Sequence, residues 1–118
     1  MLAAYVQALA ETLALGVKQG LTIEQMLDVI QEGPYASGWL KSKIDTLKGG
    51  KGEVSHDIRT LRKDIMSAVA NGALCGVPMP LASGTLASLS AAVAANHGDG
   101  DLAELPKFLR EAMLQNFK

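Results

Sequence analysis

The sequence has a single cysteine, Cys75, so no disulfide can form within the chain and the fold must stand on packing alone. A lone thiol suits a reducing compartment, and a cytoplasmic setting is expected. The default for Cys75, between Leu74 and Gly76 and with no His–Asp pattern nearby, is a buried structural thiol rather than a nucleophile. An excess of one charge is also missing. The chain carries 11 basic and 12 acidic side chains, for a formal charge of −1, whereas nucleic-acid binding calls for a basic surplus. The mildly basic group Lys41, Lys43, Lys48 and Lys51 reads as a solvated helix end and loop. Long apolar runs are lacking too. The opening MLAAYVQALAETLALGVKQG is interrupted by Gln7, Glu11 and Lys18, so neither a membrane span nor a signal peptide is expected.

Metal and phosphate motifs are equally scarce. His56 and His97 are the two histidines, far apart and outside any HExxH or cysteine pattern, so no metal site is expected. The run His97-Gly98-Asp99-Gly100-Asp101 has the look of a calcium loop, but counting twelve from Asp99 reaches Arg110 rather than an acid. Gly49-Gly50-Lys51-Gly52 follows no strand and is not followed by GK[ST], which leaves a flexible loop rather than a P-loop. Strand alternation is absent, and aromatic residues make up 4% of the chain.

What is present is alanine and helical periodicity. Hydrophobic residues reach 48% of 118, enough to give one compact domain a core, and alanine favours closely packed helices. A first helix over 2–19 places Leu2, Tyr5, Val6, Leu9 and Leu13 on one face, with Gly16 implying close packing and Gly20 ending it. Thr22-Ile23-Glu24-Gln25 forms a capping box for a second helix, flanked by Leu21 and Met26 as a staple. Its inward residues are Met26, Leu27 and Ile30, and Gly33-Pro34 stops it. Ser37 caps a third helix with Leu40, Ile44 and Leu47 inward. A fourth, from about Ser55 to Ala73, carries Ile58, Leu61, Ile65 and Val69 and is the candidate for the central helix. A fifth spans 81–95, with Leu86, Leu89 and Val93 on one side. Asp101-Leu102-Ala103-Glu104 is a second capping box, opening a last helix with Leu105, Leu109 and Met113. The expected fold class is therefore all-α, about six helices packed around a long central one.

At 100° per residue, His56, Thr60, Lys63 and Ser67 fall opposite the apolar stripe of the fourth helix. Such a face serves equally as a ligand-binding surface or as a solvated one. Trp39, the sole tryptophan, is either core or pocket lining.

The order of these signals resembles a known family. Ala8-Leu9-Ala10-Glu11-Thr12-Leu13-Ala14-Leu15 followed by Gly20-Leu21 resembles the AxxEAxxLA…GL opening of the C-terminal domain of the β-hydroxyacid dehydrogenases, the 3-hydroxyisobutyrate dehydrogenase type. Gly33-Pro34-Tyr35-Ala36-Ser37-Gly38-Trp39 is similar to its G-x-x-x-S-x-W turn, and Leu61-Arg62-Lys63-Asp64-Ile65 to its KDL segment. Gly76-Val77-Pro78-Met79-Pro80 resembles its GVPLP connector, and the 97–101 run its GHGDxD turn. His56 and Ile58 stand where the family usually has phenylalanine, and Leu102 and Ala103 where a serine is usual.

The resemblance implies a 6-phosphogluconate dehydrogenase C-terminal-like helical domain spanning 1–118. It implies that NAD or NADP is the cofactor and a small hydroxyacid the substrate, with hydride transfer between them. Lys63 and Asp64 would meet the cofactor, with Asp64 orienting Lys63, and Ser37, Trp39 and His56 would line the substrate side. The family's Rossmann domain, with its GxGxxG, and its catalytic lysine segment, G-x-x-G-x-G-x-x-x-K-x-x-x-N, have no counterpart in this sequence. No catalytic residue is therefore expected within the chain, which is expected to be a domain fragment or truncated product. It would complete the cofactor and substrate cleft against that partner domain and form a homo-oligomer through its apolar first helix. The alternative from another class is a stand-alone helical dimerisation or adaptor module.

Overall fold

The computed structural model describes residues 1–116, with side chains described as far as Met113. Seven α-helices follow one another: α1 (Leu2–Lys18), α2 (Ile23–Glu32), α3 (Gly38–Ser42), α4 (Ile44–Leu47), α5 (Ile58–Cys75), α6 (Pro80–Ala94) and α7 (Leu105–Asn116). A short 3-10 turn, Leu102–Glu104, precedes α7. Among the described residues there is no strand, and one isolated antiparallel bridge joins Asp57 to Asp101.

Local signals account for most boundaries. Thr22 Oγ1 accepts from Gln25 N at 3.1 Å while Gln25 Oε1 accepts from Thr22 N at 3.0 Å, the capping box legible in the sequence. Ser37 Oγ accepts from Leu40 N at 3.0 Å and starts α3. At the far end of α5, Gly76 takes a left-handed φ of 74° and Val77 N donates to Gly72 O at 2.8 Å, a Schellman closure. Gly16 is buried where a Cβ would collide with Met26 Sδ, so its absence of side chain lets α2 lie against α1.

The expected third helix is two. Lys43 leaves helical geometry, at φ −110° and ψ 9°, and separates α3 from α4. Its side chain turns inward instead of lying along the surface.

The centre of the fold is α1, not the fourth helix of the sequence reading. Ala3, Val6, Gln7, Leu9, Ala10, Leu13, Ala14 and Gly16 are all buried, and α1 packs against α2, α6, α7 and the 3-10 turn. Its first half joins a core with Ile58, Leu89, Ala92, Leu102 and Leu105. Its second half joins another with Met26, Leu27, Leu40, Leu47 and Ala103. Each fully buried Leu or Ile contributes roughly 1.5–3 kcal/mol. In α5, by contrast, just Ile58 and Gly72 are buried, and the helix packs chiefly on α6. Leu61 and Ile65 touch the core from its edge. Of the α5 stripe, Ile58, Leu61 and Ile65 reach this core and Val69 does not, and a stripe of one helix does not tell how many neighbours cover it.

Candidate functional site

The loop between α4 and α5 is held by one carboxylate. Asp101, with a side chain 4% exposed, accepts from Ser55 N at 2.9 Å, His56 N at 3.2 Å and Ala103 N at 2.9 Å. Lys43 Nζ stands 3.2 Å from Asp101 Oδ1 and also donates to Glu53 O at 3.0 Å. Burial is the largest single influence on Asp101 and pushes its carboxyl up. The N–H groups of Ala103, His56 and Ser55, together with Lys43, outweigh it and hold the group below the usual carboxylate range. Lys43 is thus a buried partner, correcting its reading as part of a solvated basic surface. Lys43 and Asp101 are too far apart in the sequence for any local pattern to announce the pair.

This clamp sets where α5 begins. Asp57 is extended and bridges to Asp101: Ile58 N donates to Gly100 O at 3.0 Å, and Leu102 N donates to His56 O at 2.8 Å. Asp57 then caps the helix, accepting from Thr60 N at 2.9 Å and Thr60 Oγ1 at 2.9 Å. Those two bonds hold the Asp57 carboxyl below its ordinary range. His56 therefore lies before the helix, exposed, and is not a member of the α5 face on which helical counting put it.

Lys63 and Asp64 lie on the open side of α5, both exposed. Among the described residues, Lys63 makes no ion pair or hydrogen bond, and none joins it to Asp64. Consecutive helical residues point about 100° apart and do not face each other. Asp64 therefore does not orient Lys63 within this chain.

Ser37 and Trp39 form a separate group on α3. Ser37 spends its hydroxyl oxygen on the cap of α3. Trp39 is half-buried, packs against both cores, and meets Tyr5 edge to face with ring centroids 6.3 Å apart. Its indole Nε1 is buried with no hydrogen-bond partner among the described residues. No described hydrogen bond, ion pair or ring contact connects this group with Lys63 and Asp64. None of the five sequence-selected residues lines either of two clefts beside α1. One, of about 370 Å³, is bounded by Tyr5, Ala8, Leu9, Thr12, Ile30 and Tyr35. The other, of about 590 Å³, lies between α1, α5 and the start of α6.

Tyr5 and Tyr35 were not singled out as a pair by the sequence. Tyr5 Oη donates to Tyr35 O at 2.8 Å, tying α1 to the turn after α2. Cys75 is exposed, not buried, because it ends α5 beyond the reach of either core. Among the described residues, no group of His, Cys, Asp and Glu could hold a metal ion, and no helix is long and apolar enough to cross a membrane.

A dinucleotide has a partial fit here. A free ammonium on an open helix face can meet a phosphate or carboxylate, whereas the Trp39 N–H, without an acceptor among the described residues, is buried. Of the sequence-selected residues, Lys63 is the one whose exposed, unpaired side chain fits such an anionic group.

Residues 1–109 match the family described as "NAD-binding of NADP-dependent 3-hydroxyisobutyrate dehydrogenase". A solved 3-hydroxyisobutyrate dehydrogenase from Salmonella typhimurium superposes with a TM-score of 0.78 over 91% of this chain at 24% identity, a likeness of fold. The Mycobacterium tuberculosis 3-hydroxyisobutyrate dehydrogenase, solved with L-serine, matches 92% of the chain with a TM-score of 0.71 at 26% identity. The chain spans 38% and 40% of those two structures. The cytokine-like nuclear factor N-PAC of Homo sapiens, like that of Mus musculus, is 25% identical over 99 residues, which are 84% of this chain and 18% of that protein.

Proposed function

Because the chain belongs to the family of the helical, C-terminal NAD-binding domain of 3-hydroxyisobutyrate dehydrogenases, we propose that it forms one wall of an NAD(P)-dependent hydroxyacid dehydrogenase site. The observation that carries this reading is the family match over residues 1–109, nearly the whole chain. A Rossmann domain supplies the opposite wall and the cofactor's main hold, and further copies of the chain complete a cytoplasmic oligomer.

In this reading the nicotinamide dinucleotide, when bound, accepts or gives the hydride. The work of this chain is binding and orientation. Lys63 offers its unpaired ammonium to an anionic group, a phosphate of the cofactor or the carboxylate of the hydroxyacid. Asp64, one position on, faces the same open side as an acceptor. Trp39 backs the substrate side with its ring, which packing against both cores keeps from moving, while its Nε1 stays buried. Ser37 acts through Trp39 by capping the helix that carries it. His56 stands at the rim, fixed by its backbone to Asp101. No residue of the chain is assigned the proton-transfer step, which belongs to a lysine outside it.

The test is a chimera in which this chain replaces the matching helical part of the Salmonella typhimurium dehydrogenase, followed by reduced-cofactor absorbance with NAD or NADP and short hydroxyacids. Turnover in the chimera, with none in the chain alone, is the expected result. Turnover by the chain alone would contradict the reading. So would a folded chimera that neither binds cofactor nor turns over, which favours the stand-alone adaptor.

A further inference from the structure

Arg59 has unfavourable neighbours for a surface cation. On a helix the side chains beside residue i are those at i+3 and i+4, and for Arg59 these are Arg62 and Lys63. Like charges at that spacing repel. Arg59 is also the second residue of α5, where the positive end of a helix disfavours a cation. The helix facing α5 offers no counter-charge, because from Ile65 to Gly98 the sequence contains no Asp, Glu, Lys or Arg.

Both guanidinium groups are nevertheless fixed, and each by its Nε. Arg62 is half-buried, and its Nε donates to Ser90 Oγ of α6 at 2.9 Å. Arg59 Nε stands 3.4 Å from Asp99 Oδ1, and its backbone N donates to Gly98 O at 2.8 Å. Its guanidinium lies against the buried Gly98, where an added Cβ would come 2.7 Å from Nη2 and 3.0 Å from Cζ. The missing side chain at 98 is thus what seats this group. Among the described residues, the terminal nitrogens of both arginines make no hydrogen bond or ion pair. Those of Arg62 are not buried, unlike Nη1 of Arg110.

The nearby acids leave these two forks open. Asp57 turns its Oδ2 to the amide and hydroxyl of Thr60. Asp99, with a side chain 95% exposed, meets the Nε of Arg59 and not its terminal nitrogens. Asp64 makes no ion pair among the described residues.

We propose that Arg59 and Arg62 form an anion site on the α6 side of α5, and that its ligand is a phosphate group. A phosphate monoester carries about two negative charges at neutral pH, and its oxygens accept forked bonds from both guanidinium groups. A carboxylate brings one charge and leaves one arginine uncompensated. The site goes beyond the functional reading above, in which neither arginine has a part, and it stands or falls without that reading.

Isothermal titration calorimetry of the whole chain with inorganic phosphate near neutral pH, with chloride holding the ionic strength, provides the test. Circular dichroism melting shows that each variant folds. Phosphate binds the wild type saturably, one per chain. Arg59→Gln and Arg62→Gln each weaken binding by about tenfold or more. Ser90→Ala removes no charge but frees the Arg62 guanidinium, which must then be ordered on binding, so affinity falls severalfold. Lys107→Gln, the same loss of charge at an exposed position of α7, leaves binding unchanged. NADP set against NAD identifies the source of the phosphate. Tighter binding of NADP, lost with Arg59→Gln, makes it the 2′-phosphate of that cofactor, and equal binding of the two makes it a group on another ligand. Phosphate that does not saturate overturns the site. So does binding that falls as much with Lys107→Gln as with the arginine variants and keeps its strength in Ser90→Ala, since it then follows net charge alone.

Discussion

Asp101→Asn removes one oxygen and one charge from the most connected side chain among the described residues. Asp101 Oδ1 receives Ser55 N and His56 N and faces Lys43, while Oδ2 receives Ala103 N. An asparagine keeps one acceptor oxygen and turns an NH2 group toward the other set of donors. Either the Ala103 amide or the Ser55–His56 pair is then left facing a donor, and Lys43 loses its counter-charge. Removing one member of a buried pair costs about 3–5 kcal/mol. Lys43 keeps 11% side-chain exposure and can partly reach water, so the low end, about 3 kcal/mol, is expected. At roughly 4 °C per kcal/mol for a domain of this size, Tm falls by about 12 °C. Thermal unfolding at pH 7 followed by helical circular dichroism measures it. Asp99→Asn, whose side chain is 95% exposed beside Arg59, serves as the control and moves Tm by no more than about 2 °C. The sign with pH follows from the depressed carboxyl of Asp101. A group held below its ordinary range contributes fully above that range and loses its contribution as pH falls through the folded value. The gap between wild type and Asp101→Asn therefore stays constant above about pH 4 and closes in stronger acid. A loss below about 1 kcal/mol at pH 7, or a gap that widens in acid, would refute the argument that this carboxylate holds the loop before α5.

Two further changes test the site and the α5 turn. Lys63→Ala leaves the Tm of the isolated chain within the equivalent of about 0.5 kcal/mol, because the residue is exposed and unpaired. In the dehydrogenase chimera it lowers kcat/KM about tenfold or more, equivalent to about 1.4 kcal/mol, and an unchanged kcat/KM would make this face merely solvated. Gly72→Ala puts a Cβ against Met79 Cγ and 3.1 Å from the backbone oxygen of Val77. It is expected to destabilise by about 1–3 kcal/mol, read from the urea midpoint, and a neutral result would mean the turn 76–79 relaxes freely.

Helix caps were legible in the sequence because the atoms that make them are three residues apart. Thr22 with Gln25, Ser37 with the amide of Leu40, and Asp101 with Glu104 close their bonds within a single turn. The apolar faces of α1, α2 and α7 were legible for the same reason, since 3.6-residue periodicity is a property of one segment. The family was legible as well, from short motifs kept in order along nearly the whole chain. The tertiary structure alone decided which long helix occupies the middle. Both α1 and α5 carry an apolar stripe, and α1 is central because α2, α6, α7 and the 3-10 turn all pack on it. It alone decided that Lys43 is buried on Asp101, that His56 lies before α5, and that Cys75 is exposed. Each of these depends on segments remote in the chain meeting in space. A helical pattern fixes which side of a segment is apolar, but what covers that side is determined by the packing of all the others.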